Sequence, residues 1–293
     1  MIKTVPEAFQ EFMRRYEPMA VTKEAASTKQ SYLRDSLSGH LEIVDDFLMG
    51  SYIKQTQIKP KTDIDLFLVL APSYWRENNL QKPRDVLSFV FRQLRKTYPR
   101  STMRLDGQAV TLIFKDGFKF DVVPAFKAKD FYMIPSVKPP SWIHCNPKVH
   151  IDHLTEMNQT LNQMFKPLIK MVKCWKFTKS SSLKSFHIEL LASRAFSKLS
   201  TAMRDDLVSG YPRALAFFFQ QTCNLIDQPM TDEVNRRIDE YLDVEDLREK
   251  TWIKLSHAAN VSAEACHYQA VGRHRKACVL WRTIFGQFFP VVL

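Results

Sequence analysis

The sequence has little cysteine and little glycine. Of 293 residues, five are cysteine and seven are glycine. The cysteines are widely separated and form no Cys-x-x-Cys pair, so the sequence signals neither a disulfide framework nor a ribbon-type zinc site. Glycine tolerates backbone conformations that other residues avoid, and where it is scarce each glycine marks a place of special geometry. We therefore expect a reducing compartment and single out Gly50.

Long apolar runs are also missing. No stretch is long enough to cross a bilayer, and the first residues lack the apolar block of a signal peptide. These absences predict a cytoplasmic protein with no membrane partner. Acidic residues are outnumbered, because 42 Lys and Arg face 31 Asp and Glu and give a formal charge of +11. This balance favours an anionic partner such as nucleotide phosphates, nucleic acid or acidic lipid, although a solvated basic surface explains it equally well.

The hydrophobic pattern divides the chain into a mixed first half and a helical second half. Strand-like runs are "DIDLFLVL", "AVTLIF" and "FKFDVVPAF", the last two joined by a "KDG" turn that predicts a hairpin. Between them, "PRDVLSFVFRQLRKTYP" predicts a helix, and "SVKPPSW" is interpreted as a connector. Helical spacing is present over residues 7–16, 23–46, 152–178, 184–200, 211–225, 231–248 and 262–285.

Three aspartates interrupt the apolar strands. Asp63 and Asp65 stand at the start of "DIDLFLVL", and Asp121 lies inside "FKFDVVPAF". Side chains two positions apart share one face of a strand, and a neighbouring hairpin strand would bring the third carboxylate alongside them. A lone aspartate of this kind is better explained as a turn residue or a solvated strand end, but three together favour a cation site. Such a site suits Mg²⁺ and nucleotidyl transfer.

A Gly-Ser pair precedes these aspartates by about a dozen residues. Gly50 and Ser51 follow the predicted helix 23–46, at the junction with the sheet. A glycine there lets a phosphate approach the backbone, while the amide and the Ser51 hydroxyl donate hydrogen bonds to its oxygens. Gln55 and Thr56, in the loop between the two motifs, are candidates for orienting this cradle.

The spacing of Gly-Ser, Asp-x-Asp and a distant Asp resembles the polymerase-β-like nucleotidyltransferases. In detail, "GSYIKQTQIKPKTDIDLFLVL" with "FDVVPAF" resembles the bacterial CD-NTases, relatives of cyclic GMP-AMP synthase and oligoadenylate synthase. The resemblance implies an α+β, two-lobed fold: residues 1–148 would form a mixed α/β palm lobe with an N-terminal spine helix, and residues 149–293 an α-helical nucleotide-binding lobe. It also implies that Asp63, Asp65 and Asp121 are catalytic and hold two Mg²⁺ ions, with Mn²⁺ able to substitute.

The second half adds to this resemblance. "LIKMVKCWK" followed by "LKSFHIELL" is similar to the segment in which the family offers a lysine and a serine to the triphosphate and an aromatic ring to the base. Lys173, Ser185 and Phe186 match best. Lys170 lies one helical turn earlier and is the alternative to Lys173. A basic helix face beside a core phenylalanine is the simpler explanation of the same residues.

The implied activity is the joining of nucleoside triphosphates into a cyclic di- or trinucleotide, with release of pyrophosphate. The product would act on a downstream effector in antiphage signalling, and a nucleic acid or a protein would serve as activator. Three other functions stay open: a linear oligonucleotide synthase like oligoadenylate synthase, an RNA nucleotidyltransferase of the poly(A) or CCA-adding type, and a non-catalytic RNA-binding protein on this scaffold.

Overall fold

Strands and helices alternate along the first half of the chain, and helices follow. The computed structural model describes residues 4–18, 23–60, 63–76, 80–244 and 246–290. In the first half the elements are α1 (Val5–Tyr16), α2 (Lys23–Leu37), β1 (Ile43–Met49), α3 (Gly50–Ile53), β2 (Ile64–Leu70), α4 (Pro72–Arg76), α5 (Pro83–Thr97), β3 (Thr102–Asp106), β4 (Ala109–Ile113), β5 (Lys119–Ala128), β6 (Phe131–Val137) and β7 (Pro140–Cys145). The helices that follow are α6 (Pro147–Thr160), α7 (Phe165–Thr178), α8 (Ser185–Phe196), α9 (Thr201–Leu207), α10 (Tyr211–Leu225), α11 (Leu247–Ala270) and α12 (His274–Phe285), with short 3-10 turns at Glu240–Leu242 and Gly286–Phe288.

The chain divides into two compact units of different character. Pro18–Ile151 forms a mixed α/β unit, and Met1–Glu17 together with Asp152–Leu293 forms a helical unit. The predicted α+β fold with a mixed lobe and a helical lobe is therefore confirmed. Among the described residues, no helix combines the length and the apolar character that crossing a membrane requires.

The N-terminal helix belongs to the helical unit, whereas the sequence prediction had placed it in the palm lobe. Helix α1 carries an apolar stripe at helical spacing that includes Phe9 and Phe12, both fully or almost fully buried. The ring of Phe9 lies 5.2 Å from that of Trp281, and the ring of Phe12 lies 4.6 Å from that of Phe285. Because these contacts are to α12, aromatic packing joins the first helix to the last.

The sheet of the mixed unit has the strand order β1-β2-β5-β4-β3, and β6 extends from β5 to pair with β7. Strands β2 and β5 are parallel, while the other pairs are antiparallel. The predicted hairpin between β4 and β5 is confirmed, and Gly117 occupies its turn with a φ of +82°. Strand β2 is buried along almost its whole length, which is why its sequence is continuously apolar instead of alternating.

The structure corrects the prediction that one helix runs over residues 23–46 into the Gly-Ser pair. Helix α2 ends at Leu37, whose carbonyl accepts hydrogen bonds from the amides of His40 and Leu41. The chain then enters β1, which pairs with β2 and ends at Met49. A strand therefore delivers the chain to Gly50, because sheet pairing overrides the helical spacing of the apolar residues.

Two other segments also differ from the prediction. The connector "SVKPPSW" contributes to the β6–β7 hairpin, and the described residues of the helix predicted over 231–248 are mostly irregular, with a 3-10 turn at Glu240–Leu242. In that segment Asp232 accepts hydrogen bonds from the amides of Val234 and Arg236, and Asp239 accepts one from the amide of Met230. Aspartate side chains that bind backbone amides in this way offer the chain an alternative to the helix.

Candidate active site

Two of the candidate carboxylates face each other across the parallel strand pair. Asp65 of β2 lies in register with Asp121 of β5. Each is only partly buried, while the residues that follow them, Leu66 and Val122, are completely buried. Because side chains alternate along a strand, the apolar residues point to the core and the two aspartates share the other face of the sheet. The predicted adjacency of the two strands is confirmed.

The carboxylate of Asp65 is short of compensating positive charge. Its pKa is raised from 3.8 to about 7, first by burial and next by the charge of Asp121, with Asp63 adding a smaller effect. Lys54 and Lys119 act in the opposite direction and do not cancel these effects. A carboxyl that stays partly protonated near neutral pH beside other carboxyls is typical of a site that accepts an additional cation.

A lysine connects the remaining carboxylates. The Nζ of Lys119 lies 2.9 Å from Oδ2 of Asp63 and 3.5 Å from Oδ2 of Asp121. The Oγ1 of Thr111, on the neighbouring strand β4, donates a hydrogen bond of 2.6 Å to Oδ1 of Asp121. Within the described ranges, no three His, Cys, Asp or Glu side chains surround a common point as metal ligands. Lys119 thus lies between Asp63 and Asp121, and Asp65 lies across from Asp121 on the neighbouring strand, so the three aspartates share one region.

Gly50 lies directly against this cluster. Its φ is +71°, and a Cβ added to it would lie 1.7 Å from Oδ2 of Asp65. Strand β1 brings it there, because Met49 is in register with Asp65. The next residue, Ser51, is in the first turn of α3, and its carbonyl accepts a hydrogen bond of 2.9 Å from the amide of Thr56. Both the backbone conformation and the close approach to a carboxylate require glycine at this position.

The two lysines that the sequence offered as phosphate ligands both have carboxylate partners in the helical unit. Lys173 is 6% exposed, and its Nζ lies 2.8 Å from Oε1 of the equally buried Glu189. Lys170 bonds both carboxylate oxygens of Glu17, at 2.6 and 2.9 Å. The structure thus gives each lysine a place in the packing of this unit, and the choice between them as a phosphate ligand stays a prediction.

Ser185 and Phe186 open helix α8. Both are half-buried, and Lys184, the N-cap residue, is exposed. Lys176, one helical turn after Lys173, has its Nζ 3.4 Å from the Oγ of Ser185. A cation and a hydroxyl are therefore side by side at the start of this helix, but the cation is Lys176 and not the predicted Lys173 or Lys170.

A tyrosine holds the backbone at the start of α8. The hydroxyl of Tyr241 accepts a hydrogen bond of 2.9 Å from the amide of Lys184 and lies 2.9 Å from Nδ1 of His187. Burial lowers the pKa of His187 to about 4, so the ring is neutral at physiological pH. Its Nδ1 can then accept a hydrogen bond from the hydroxyl of Tyr241. The segment that carries Ser185 is thus fixed at both ends of its first turn.

Sequence reasoning missed three polar side chains near the candidate residues. Lys119 is two positions before Asp121 and therefore on the same face of β5, a signal that was available from the sequence. Lys176 follows Lys173 at a spacing of three residues, again a readable signal. Thr111 is completely buried in β4 and lies in register with Asp121 of β5; the predicted hairpin placed the two strands together, but their register was not worked out from the sequence.

The fold and the site together define a class. A mixed α/β unit with carboxylates on neighbouring strands, next to a glycine that ends an adjacent strand, combined with a helical unit, is the architecture of two-lobed polymerase-β-like nucleotidyltransferases. Within this class, residues 3–158 match the profile of the Second Messenger Oligonucleotide or Dinucleotide Synthetase domain. The chain belongs to this family, the bacterial CD-NTases, which are nucleotidyltransferases, and the resemblance seen in the sequence is confirmed.

Curated relatives include named cyclic nucleotide synthases. Over 66% of this chain and 59% of the relative, the sequence is 29% identical to a cyclic AMP-AMP-AMP synthase of Acinetobacter sp. (strain ATCC 27244 / 9458). The chain thus spans less than two thirds of that relative's length. Over 99% of both chains it is 22% identical to a probable cyclic nucleotide synthase of Bacillus cereus (strain VD146). A CBASS oligonucleotide cyclase, CdnC of Escherichia coli, is 22% identical over 83% of this chain and 81% of its own.

Solved structures share the fold over nearly the whole chain. The structure of E. coli MS115-1 CdnC with ATP superposes with a TM-score of 0.73 at 19% identity and covers 97% of this chain and 98% of its own. The Vibrio cholerae cyclic AMP-GMP synthase DncV, in complex with a linear intermediate, gives a TM-score of 0.64 at 11% identity, over 97% of this chain and 80% of its own. At these identities the similarity shows the fold alone.

The family implies the use of a divalent metal ion in general, and the residues present fit such an ion. Every donor atom of the three aspartates is a hard carboxylate oxygen, the ligand type that Mg²⁺ and Mn²⁺ prefer. The ammonium of Lys119 between Asp63 and Asp121 is a stand-in cation, because it shows that positive charge is accommodated between these oxygens. The raised pKa of Asp65 shows that one ammonium does not neutralise the cluster.

Proposed function

We propose that the protein is a metal-dependent nucleotidyltransferase that joins nucleoside triphosphates into a cyclic di- or trinucleotide and releases pyrophosphate. The observation that carries the proposal is the pairing of Asp65 with Asp121 on parallel strands, against Gly50. The relatives named as cyclic nucleotide synthases support the cyclic product, and the relatives assigned to CBASS support a role in antiphage signalling. We place the reaction in the cytoplasm, where nucleoside triphosphates are made.

Three carboxylates would hold the metal. Asp63, Asp65 and Asp121 would bind two Mg²⁺ ions, and Mn²⁺ would be able to replace Mg²⁺ in vitro. Such ions, when bound, supply positive charge that acidifies an attacking ribose hydroxyl and stabilises a departing pyrophosphate. Thr111 restrains one oxygen of Asp121 through its short hydrogen bond and leaves the other oxygen for the cation.

The Gly-Ser pair would bind the triphosphate. Because Gly50 has no side chain, the carboxylate of Asp65 lies where a Cβ would otherwise stand, and phosphate oxygens would approach the exposed backbone amide beside it. Ser51 contributes a hydroxyl donor beside it. In the reaction, the attacking ribose oxygen forms a bond to the α-phosphorus, and the bond from that phosphorus to pyrophosphate breaks. The proton of the ribose hydroxyl passes to solvent water.

The helical unit would contribute to nucleotide binding through the start of α8. Ser185 and Lys176 provide a hydroxyl and an ammonium within 3.4 Å of each other, and Phe186 provides an aromatic ring for a base. Lys173 and Lys170 remain the candidates that the family resemblance favours, and both would have to exchange a carboxylate partner for phosphate.

The name of the Acinetobacter relative makes ATP the first substrate to test. Purified protein is incubated with each nucleoside triphosphate, singly and mixed, with Mg²⁺ or Mn²⁺, and both pyrophosphate and phosphatase-resistant products are measured. The expected result is metal-dependent pyrophosphate release and a product that resists phosphatase because it has no terminal phosphate. Asp63→Asn combined with Asp65→Asn should abolish both, while Asp106→Asn, a change at an exposed strand end, should leave them unchanged.

The same experiment separates the alternatives. A linear oligonucleotide synthase yields a product whose terminal phosphates are removed by phosphatase. A poly(A) or CCA-type enzyme requires an added RNA primer. A non-catalytic RNA-binding protein shows salt-sensitive RNA binding and no pyrophosphate release. The proposal is wrong if the double variant releases pyrophosphate at the rate of the natural protein.

Partners belong to the same proposal. A solved complex contains E. coli MS115-1 CdnC together with a HORMA protein, and this supports a protein activator for the present chain. The basic composition supports a nucleic-acid activator as the alternative. A downstream effector would be reached through the nucleotide product and not through direct contact.

A further inference from the structure

Lys119 is the first residue of β5, and its ammonium contacts both Asp63 and Asp121. Its side chain is 17% exposed, and its Nζ lies 2.9 Å from Oδ2 of Asp63 and 3.5 Å from Oδ2 of Asp121. Because it is two positions from Asp121 on the same strand, it projects onto the same face of the sheet. The ammonium thus occupies the space between two oxygens that the proposed function assigns to metal.

The Lys119 side chain can leave the space between the two carboxylates easily. An ammonium is a compact charge on a flexible four-carbon chain, so it can move by rotating side-chain bonds without disturbing the backbone. Its carboxylate partners remain accessible to solvent, since the side chain of Asp63 is 33% exposed and that of Asp121 is 19% exposed. A divalent ion can therefore reach the same oxygens from solution. It carries twice the charge and binds these hard ligands directly.

We propose that Lys119 is a displaceable counter-cation. Its ammonium offsets part of the negative charge of Asp63 and Asp121 in the metal-free protein and leaves these oxygens when a divalent ion binds them. This inference rests on the proposed function, because it assumes that the carboxylates bind metal. Lys119 is a positioning residue: it keeps the two carboxylates at a cation-sized separation before the metal arrives, and its release costs part of the metal-binding energy.

The inference is tested by titrating the metal-free full chain with Mn²⁺ and following free Mn²⁺ by electron paramagnetic resonance. Lys119→Met removes the competing charge with little change in side-chain volume and should tighten Mn²⁺ binding by about tenfold. Lys119→Arg keeps the charge and should bind Mn²⁺ no more tightly than the natural protein. Lys115→Met, an exposed lysine in the preceding turn, controls for net charge and should change the affinity by less than about twofold because solvent screens it.

A second measurement does not depend on any variant. Acetylation of Lys119 by an amine-reactive ester, read by mass spectrometry, should increase when Mn²⁺ is added, because the ammonium is released from its carboxylates. If the natural protein binds Mn²⁺ but Lys119→Met binds it equally or less tightly, and labelling does not rise, the inference is overturned while the proposed function stands. If the folded natural protein binds no Mn²⁺ at all, both are overturned.

Discussion

Replacing Asp65 by asparagine should stabilise the metal-free protein above neutral pH. The natural carboxyl has its pKa raised to about 7 by burial and by the neighbouring Asp121. In the unfolded chain it returns to its ordinary value near 3.8. Between these two values the folded protein binds more protons than the unfolded chain, so the free energy of unfolding falls as the pH rises. Asparagine has nearly the same shape and cannot ionise, which removes this loss.

The size of the effect follows from the pKa difference. A shift from 3.8 to about 7 is roughly three pKa units, and at about 1.4 kcal/mol per unit it corresponds to about 4 kcal/mol as an upper bound. The side chain is partly exposed, so solvent screens part of the interaction. We expect about half of the bound, about 2 kcal/mol, to appear as extra stability of Asp65→Asn at high pH.

Urea unfolding in the presence of EDTA measures this difference. The two proteins should have similar free energies of unfolding near about pH 4, where both side chains are neutral, and should diverge steadily up to about pH 8. Asp106→Asn, at an exposed strand end, is the control and should show no such divergence. Saturating Mg²⁺ at high pH should make the natural protein more stable than Asp65→Asn. A ligand stabilises the folded state that binds it, and the variant has lost one of the proposed metal ligands.

A difference between Asp65→Asn and the natural protein that stays constant with pH would refute this reasoning. So would a variant that is less stable at about pH 8 than the natural protein in EDTA. Either result would mean that the carboxylate is compensated in the metal-free fold. It would also remove the electrostatic argument that the site requires an added cation.

Three further outcomes are expected. Gly50→Ala should abolish pyrophosphate release and lower the unfolding temperature, because the new methyl group meets Oδ2 of Asp65. The control is Gly117→Ala, where φ is +82° and the added methyl group meets no other atom. It should lower the free energy of unfolding in urea by only about 1 kcal/mol, through backbone strain. Lys173→Met should lower the free energy of unfolding by about 3 to 5 kcal/mol, because it removes the ammonium 2.8 Å from the buried carboxylate of Glu189. Combining it with Glu189→Leu should restore most of the stability, and additive losses would contradict the pairing. His187 should contribute up to about 3 kcal/mol of stability that is lost as the pH falls from 6.5 towards 4, because the unfolded chain binds a proton that the buried ring, with its pKa lowered to about 4, does not bind; the difference in the free energy of unfolding between the natural protein and His187→Gln should change by this amount over the same pH range.

Much of the mixed unit was predictable because its strands are short, apolar and bounded by turn residues. The "KDG" turn identified the β4–β5 hairpin, and the two carboxylate-bearing strands were recognised by their β-branched and aromatic residues. The failures have a common cause. The residues of β1 carry apolar spacing that fits a helix, and only their pairing with β2 makes them a strand. Such tertiary pairing is invisible in the local pattern.

The candidate site was predictable where identity and spacing carry the chemistry. The three aspartates and Gly50 were found because charge in an apolar strand and a rare glycine are conspicuous. The partners of the basic residues were not predictable. That Lys173 would be buried against Glu189, and Lys170 would bond Glu17, depends on how the helices pack within their unit. The sequence shows that a lysine is positively charged, but it does not show which carboxylate or phosphate the lysine will contact.

The parallel pairing of β2 with β5 also determines when the acidic site comes into existence. Parallel strands need a long crossover, and such distant pairings form late in folding. During synthesis β2 leaves the ribosome well before β5, so Asp65 stays solvated until the later strand docks. The mutual repulsion of the carboxylates is therefore met only at this docking step. On the proposed function, Mg²⁺ would relieve that repulsion as the sheet closes, and would assist the maturation of the protein before its first turnover.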